Sequence, residues 1–190
     1  MQGLKLRVVL AAALAAFCAG PACALEIISL ERSGDCAVAV FSGSVTVSGI
    51  GFKDDSFGGA LTLPLAFSRD AKEYSNIRIA AKPLHDRLLR AFETGAVFKG
   101  AASEPVLTVI GTRNPSPTSR VAGVDVAFDG ELVVSYAFLK VSRRNPKTGG
   151  RTVYYRMLSP ENLSVPESFR KKIRATALPS AEKAFALAGK

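Results

Sequence analysis

FDGELVVSYAFLK, residues 128–140, echoes FSGSVTVSGIGFK, residues 41–53. Aligned without a gap, 87 residues apart, the two share Phe, Gly, Val, Ser and Lys at five of thirteen positions. Each opens on a turn former after Phe and continues with the apolar alternation of a strand. Whether they are one motif used twice decides the fold, so the flanking chain matters more than the motif itself.

The flanks keep the same order. Ahead of the first copy, LEIISLER and CAVAVFSG read as strands around a Ser33-Gly34-Asp35 turn. After it come a loop with Gly58-Gly59, the strand ALTLPLAF and the short strand NIRIA. Pro64 cannot donate to a ladder, so ALTLPLAF should lie at an edge or bend there. Pro83 then opens a helix over 83–94, with Leu84, Leu88, Ala91 and Phe92 on one face and Gly95 as its stop.

Ahead of the second copy stand EPVLTVIGTR, the two-proline linker NPSPTSR and VAGVDVAFDG, which forms a hairpin with ELVVSYAFLKV through Asp129-Gly130. After it follow SRRNPKTGG with its own pair Gly149-Gly150, the strand RTVYYRML, a short apolar stretch over 163–165, and Pro166. Phe169, Ile173 and Ala177 recur at helical spacing beyond that proline, and a separate Ala-rich helix is expected over 180–188. The repeated order predicts an internal duplication. The expected fold class is α+β: a first sheet-plus-helix unit over 25–96, a second over 97–178 and a tail over 179–190.

Residues 1–24 read as a secretory signal of bacterial type. Lys5 and Arg7 precede an apolar run from Val8 to Phe17, and Ala22-Cys23-Ala24 has the small-x-small pattern before a cut at Leu25. The run is short of the roughly 20 apolar residues that a membrane span needs. The mature chain is thus expected in the periplasm or outside the cell. It would keep one cysteine, Cys36, which excludes an internal disulfide.

Each unit resembles SpoVG (stage V sporulation protein G), a bacterial family with an antiparallel sheet and a helix. LEIISLERSGDCAVAVFSGSVTVSGIGF, GGALTLPLAFS and NIRIAAKPLHDRLLRAF follow the family's order in the first unit. PVLTVIGTRNPSPTSRVAGVDVAFDGELVVSYAFLKV, GGRTVYYRMLS and LSVPESFRKKI follow it in the second. The family's Met-Pro-Ser strand end is Leu63-Pro64-Leu65 in one unit and Arg156-Met157-Leu158 in the other. The resemblance implies nucleic-acid binding and dimerisation, and two fused units would then pack as a pseudo-dimer within one chain.

Charge singles out one end of the chain. The whole sequence has 25 basic and 16 acidic residues, and residues 131–190 alone hold 12 basic and 4 acidic ones. Arg143, Arg144, Lys147 and Arg151 crowd one loop, and Arg170, Lys171, Lys172 and Arg174 crowd the helix after Pro166. In RTVYYRM, alternation predicts Val153, Tyr155 and Met157 in the core, with Thr152, Tyr154 and Arg156 on the opposite face. Bases beside a stacking aromatic suit phosphates and other anions. The expected partners are an envelope protein or an anionic polymer or membrane surface, with nucleic acid as the alternative; the plain counter-reading is a solvated basic face.

Enzymatic constellations are scarce. His85 is the single histidine, which leaves Cys36–His85 as the one nucleophile–base pairing to weigh. Zinc needs three or four clustered N or S ligands. Asp54 and Asp55 lack the spacing of a calcium loop. No phosphate loop or dinucleotide fingerprint occurs. The chain therefore reads as a non-enzymatic binding protein without a cofactor.

Overall fold

A computed structural model describes residues 24–53, 60–67, 73–115, 120–144, 146 and 149–188. The predicted signal apart from Ala24, the acids Asp54 and Asp55, the Gly58-Gly59 pair and Lys147 lie outside the described residues. Among the described residues the fold is α+β, with two five-stranded antiparallel sheets, a separate two-stranded ladder and two α-helices. Strands β1 (Ile27–Ser33), β2 (Cys36–Phe41) and β3 (Val45–Lys53) form consecutive hairpins, and β4 (Ala60–Thr62) extends the sheet along the end of β3. Pro64 interrupts ALTLPLAF. The chain leaves the sheet there, and β5 (Ala66–Phe67) pairs with β6 (Glu73–Tyr74) in a ladder of its own. The loop expected over 68–75 therefore contains a short strand.

The second sheet repeats the plan with β8 (Leu107–Arg113), β9 (Val121–Phe128), β10 (Leu132–Arg144) and β11 (Arg151–Leu158), in the order β11-β10-β9-β8. The two echoing segments are thus the third strands, β3 and β10, of two different sheets. Four of their shared residues have matching structural roles. Phe41 and Phe128 are both buried. Gly43 and Gly130 turn the chain at φ 70° and 72°, where a side chain would be strained. Val47 and Val134 are fully buried. The backbone N–H of Ser48 donates to the carbonyl of Asn162 at 3.0 Å, and that of Ser135 to the carbonyl of Asn76 at 2.7 Å.

Those asparagines introduce an exchange that the sequence does not announce. The short strand β7 (Ile77–Ile79) belongs to the first half of the chain, yet it pairs with β10: Val134 lies opposite Ile77 and Val133 opposite Arg78. The short strand β12 (Leu163–Ser164) belongs to the second half, yet it pairs with β3: Val47 lies opposite Leu163 and Thr46 opposite Ser164. Each sheet is completed by a strand from the other half.

The helices stay with their own sheets. Helix α1 (Lys82–Thr94) packs on β1 through the predicted face, Leu84, Leu88, Ala91 and Phe92, all buried. Burial of each large apolar side chain there contributes about 1.5–3 kcal/mol. Phe92 stacks on Phe52 with ring centroids 5.1 Å apart, and the Arg32 guanidinium sits 5.6 Å from the Phe92 ring. Helix α2 (Glu167–Ala188) lies across β8 and β9.

This helix corrects the expectation of two separate helices. Buried Phe169, Ile173, Ala177, Ala181, Ala184 and Phe185 continue one stripe past Pro179. An interior proline costs about 3 kcal/mol, but Pro179 faces outward, and packing of the residues beyond it holds the helix together. Buried residues of both sheets and both helices form one contiguous core.

The exchange makes a direct prediction. Residues 25–98 expressed alone would lack the strand that covers β3, and residues 99–190 the one that covers β10. Each half should show no cooperative melting by circular dichroism, and co-expression should restore a single transition. Independent folding of either half would contradict the reciprocal pairing.

Candidate functional site: a basic groove beside β11

The predicted basic residues separate into three places. Arg156, Arg170, Lys171, Arg174 and Tyr154 meet in a groove of about 280 Å³ between β11 and the first turns of α2. Pairing on β10 holds β11 in place, with Tyr154 opposite Val141 and Arg156 opposite Leu139. Pro166 ends the preceding chain and accepts the Arg170 backbone N–H at 2.8 Å, which starts the helix that brings the other bases alongside. Tyr154 is 45% exposed. Tyr155 and Met157 line the groove, and one acid, Glu167, stands in it against four bases.

A second cluster lies at the far end of the β10–β11 ribbon. Arg144 is directly opposite Arg151, and Arg143 opposite Thr152. Five residues along a strand place Arg151 about 17 Å from Arg156. Lys172 belongs to neither group, because its ammonium is ion-paired with Glu104 ahead of β8. Helical geometry turns Lys172 away from its neighbours.

Alternation along β11 follows the expectation only in part. Met157 is buried and Tyr155 half-buried against Phe185, but Val153 is 47% exposed. The ribbon there has run past the helix that would cover it. Three groove features were not foreseen: Glu167 in the first turn of α2, and Tyr155 and Met157 as lining residues.

The buried phenol of Tyr136 has no hydrogen-bond partner among the described residues. Burial pushes it well above the usual phenol range, against the opposing pull of Arg170. The other pair weighed from sequence has no support in the contacts. Cys36 is exposed at the start of β2, and His85 lies on α1 with Nδ1 3.6 Å from Asp86. No hydrogen bond or ion pair between described residues joins the two. Among the described residues, no group of three or more His, Cys, Asp or Glu could hold a metal, and no helix is long and apolar enough to cross a membrane.

A larger cleft of about 650 Å³ opens between the sheets, with Pro64, Asn76, Arg113, Ser135 and Asn162 among its walls. Arg113 on its wall is ion-paired with Asp125. Asp125 accepts from Ser135 Oγ at 2.6 Å, Arg78 at 3.0 Å and Arg113 at 3.3 Å. A lone acid within VAGVDVAF was the available sequence signal for this network. No family model matches the chain, and neither a curated protein nor a solved structure is significantly similar to it.

The Asp125 network has a pH signature. Burial alone would raise the carboxyl, but the bonds from Ser135 and Arg78 and the nearby Arg113 charge outweigh it and hold the group below its ordinary value of 3.8. A depressed carboxyl stabilises the fold fully above its unfolded value and loses that contribution as pH falls through the folded one. Asp125→Asn should lower stability at pH 7 by about 1–3 kcal/mol. It should also flatten the acid limb of the melting-temperature profile below about pH 4; an unchanged profile would remove the network from the stability account.

Proposed function

We propose that this chain is an exported, non-enzymatic binding protein of the bacterial envelope that holds an anionic partner in the groove between β11 and α2. The observation that carries the reading is convergence. One base from a strand and three from a helix face a common space beside an exposed tyrosine, with a single acid among them. Like charges gathered this way repel one another and are relieved by a bound anion. The resemblance to the SpoVG family, together with the half-exposed Tyr154 beside Arg156, favours nucleic acid as the second reading, since bases stack on aromatics.

The probe is fluorescein-labelled heparin with the mature chain. Affinity should fall linearly on a log–log plot against salt. Arg170→Glu with Arg174→Glu should weaken binding by about a hundredfold, as two lost charge contacts imply. Lys172→Glu, already committed to Glu104, should change it little. No binding of heparin, single-stranded DNA or anionic vesicles at low salt would overturn the reading.

Export draws support from the contacts of Leu25. Leu25 is fully buried, its N–H donates to Glu131 Oε2 at 2.9 Å, and Arg87 donates to its carbonyl at 3.3 Å. Cleavage after Ala24 would turn that N–H into an ammonium beside the Glu131 carboxylate. Intact mass of the protein recovered from the periplasm should correspond to a chain beginning at Leu25; recovery of the uncleaved chain in the cytoplasm would count against export. The reciprocal exchange of β7 and β12 supports a fused pseudo-dimer, arising from duplication of a unit that once exchanged this strand between two chains. The recovery of structure only when both halves are present would fit that origin.

A further inference from the structure

We infer that the groove takes an extended acidic peptide, which adds to the outer edge of β11 as a sixth strand of the second sheet. This rests on the basic-groove reading and names the class of partner. Three observations carry it.

The first is the direction of the backbone. The N–H of Ser135 points to Asn76 next to β7, and that of Lys140 points to Arg120 next to β9. Odd residues of β10 therefore face the side shared by β7 and β11. Their partners across the ladder are Thr152, Tyr154, Arg156 and Leu158. In an antiparallel pair these even residues spend their N–H and C=O groups on β10. The amides of Arg151, Val153, Tyr155 and Met157 consequently point outward from the sheet. The Tyr155 carbonyl accepts from Arg174 Nη2 at a long 3.4 Å, and no bond among the described residues occupies the Val153 amide.

The second is the setting of that edge. A bare strand edge invites pairing with another chain. β8 forms the other edge of the sheet, away from this basic groove. Beside β11, the groove leaves room along Tyr154–Met157, and the exposed side chains of Val153 and Tyr154 offer apolar surface to both faces of an incoming strand.

The third is charge, which selects the occupant. Arg156 projects from one face of the strand, and Arg170, Lys171 and Arg174 stand on the helix side, so an added strand meets bases on both of its faces. A second copy of this chain pairing through β11 would bring its own basic groove against this one, and like charges juxtaposed across an interface are destabilising. An acidic peptide satisfies the same groups. Backbone bonds would supply affinity, and the bases would supply selection.

The experiment uses the mature chain and a ten-residue synthetic peptide alternating valine and glutamate, read by fluorescence anisotropy. A second peptide carries N-methyl groups on alternate residues and so has the same charge without the ladder donors. A Val153→Pro variant removes the outward amide at a position where an edge strand tolerates proline. Binding of the plain peptide should weaken about tenfold both on N-methylation and in Val153→Pro, about 1.4 kcal/mol in each case. Heparin binding by Val153→Pro should stay unchanged. If that variant fails to fold, the N-methylated peptide still decides the matter on the unaltered protein. Equal binding of both peptides, or heparin binding with none of the peptide, would overturn strand addition while leaving the basic groove standing. Binding of neither peptide nor heparin would overturn both.

Discussion

The pairing of β7 with β10 and of β12 with β3 is the constraint on which the remainder depends. A third strand in either sheet has its first half exposed on one side after the preceding hairpin has formed. Buried backbone groups must find partners, and here each is satisfied by a two- or three-residue strand from the opposite half. Such strands are too short to persist alone. They are held because a helix follows each one and packs on its own sheet, so the chain crosses between halves and returns. One contiguous core results. Its assembly needs contacts far apart in sequence, which slows folding.

The same crossing positions the basic groove. The chain leaves β11, adds β12 to the first sheet, and re-enters at Pro166 as α2. That excursion sets the start of the helix beside the β11 edge, where Arg170, Lys171 and Arg174 join Arg156. In the first half the corresponding strand is β4, which lies opposite the end of β3 as β11 lies opposite β10. It carries Ala60, Leu61 and Thr62 and no charge. The two halves share a plan while only one presents a charged edge.

Much of the architecture is legible from local pattern. Strand alternation, the turn at Asp129-Gly130 and the helix after Pro83 all follow from neighbours a few residues apart, and the echo at 41–53 and 128–140 marks equivalent strands. The failures have specific physical causes. Residues 180–188 read as a separate helix, but the apolar stripe of α2 continues past Pro179 and outweighs one missing hydrogen bond. Val153 reads as core by alternation, yet no helix covers that end of the ribbon. Lys172 reads as part of a basic cluster, yet its rotation about the helix gives it to Glu104. Arg143, Arg144 and Arg151 gather as expected but stand a strand length away from the groove.

The sequence by itself determined most of the strands, the helix after Pro83 with its apolar face, and that positive charge gathers in the last third. These properties depend on side chains and on spacings of two to four residues. Only the tertiary structure decided which strand completes which sheet, because ladder bonds are made by backbone groups that every residue carries alike. It also decided which bases share a space and which edge stays open. Both depend on where the chain goes after β12, and that route is set by burying one core between the two halves.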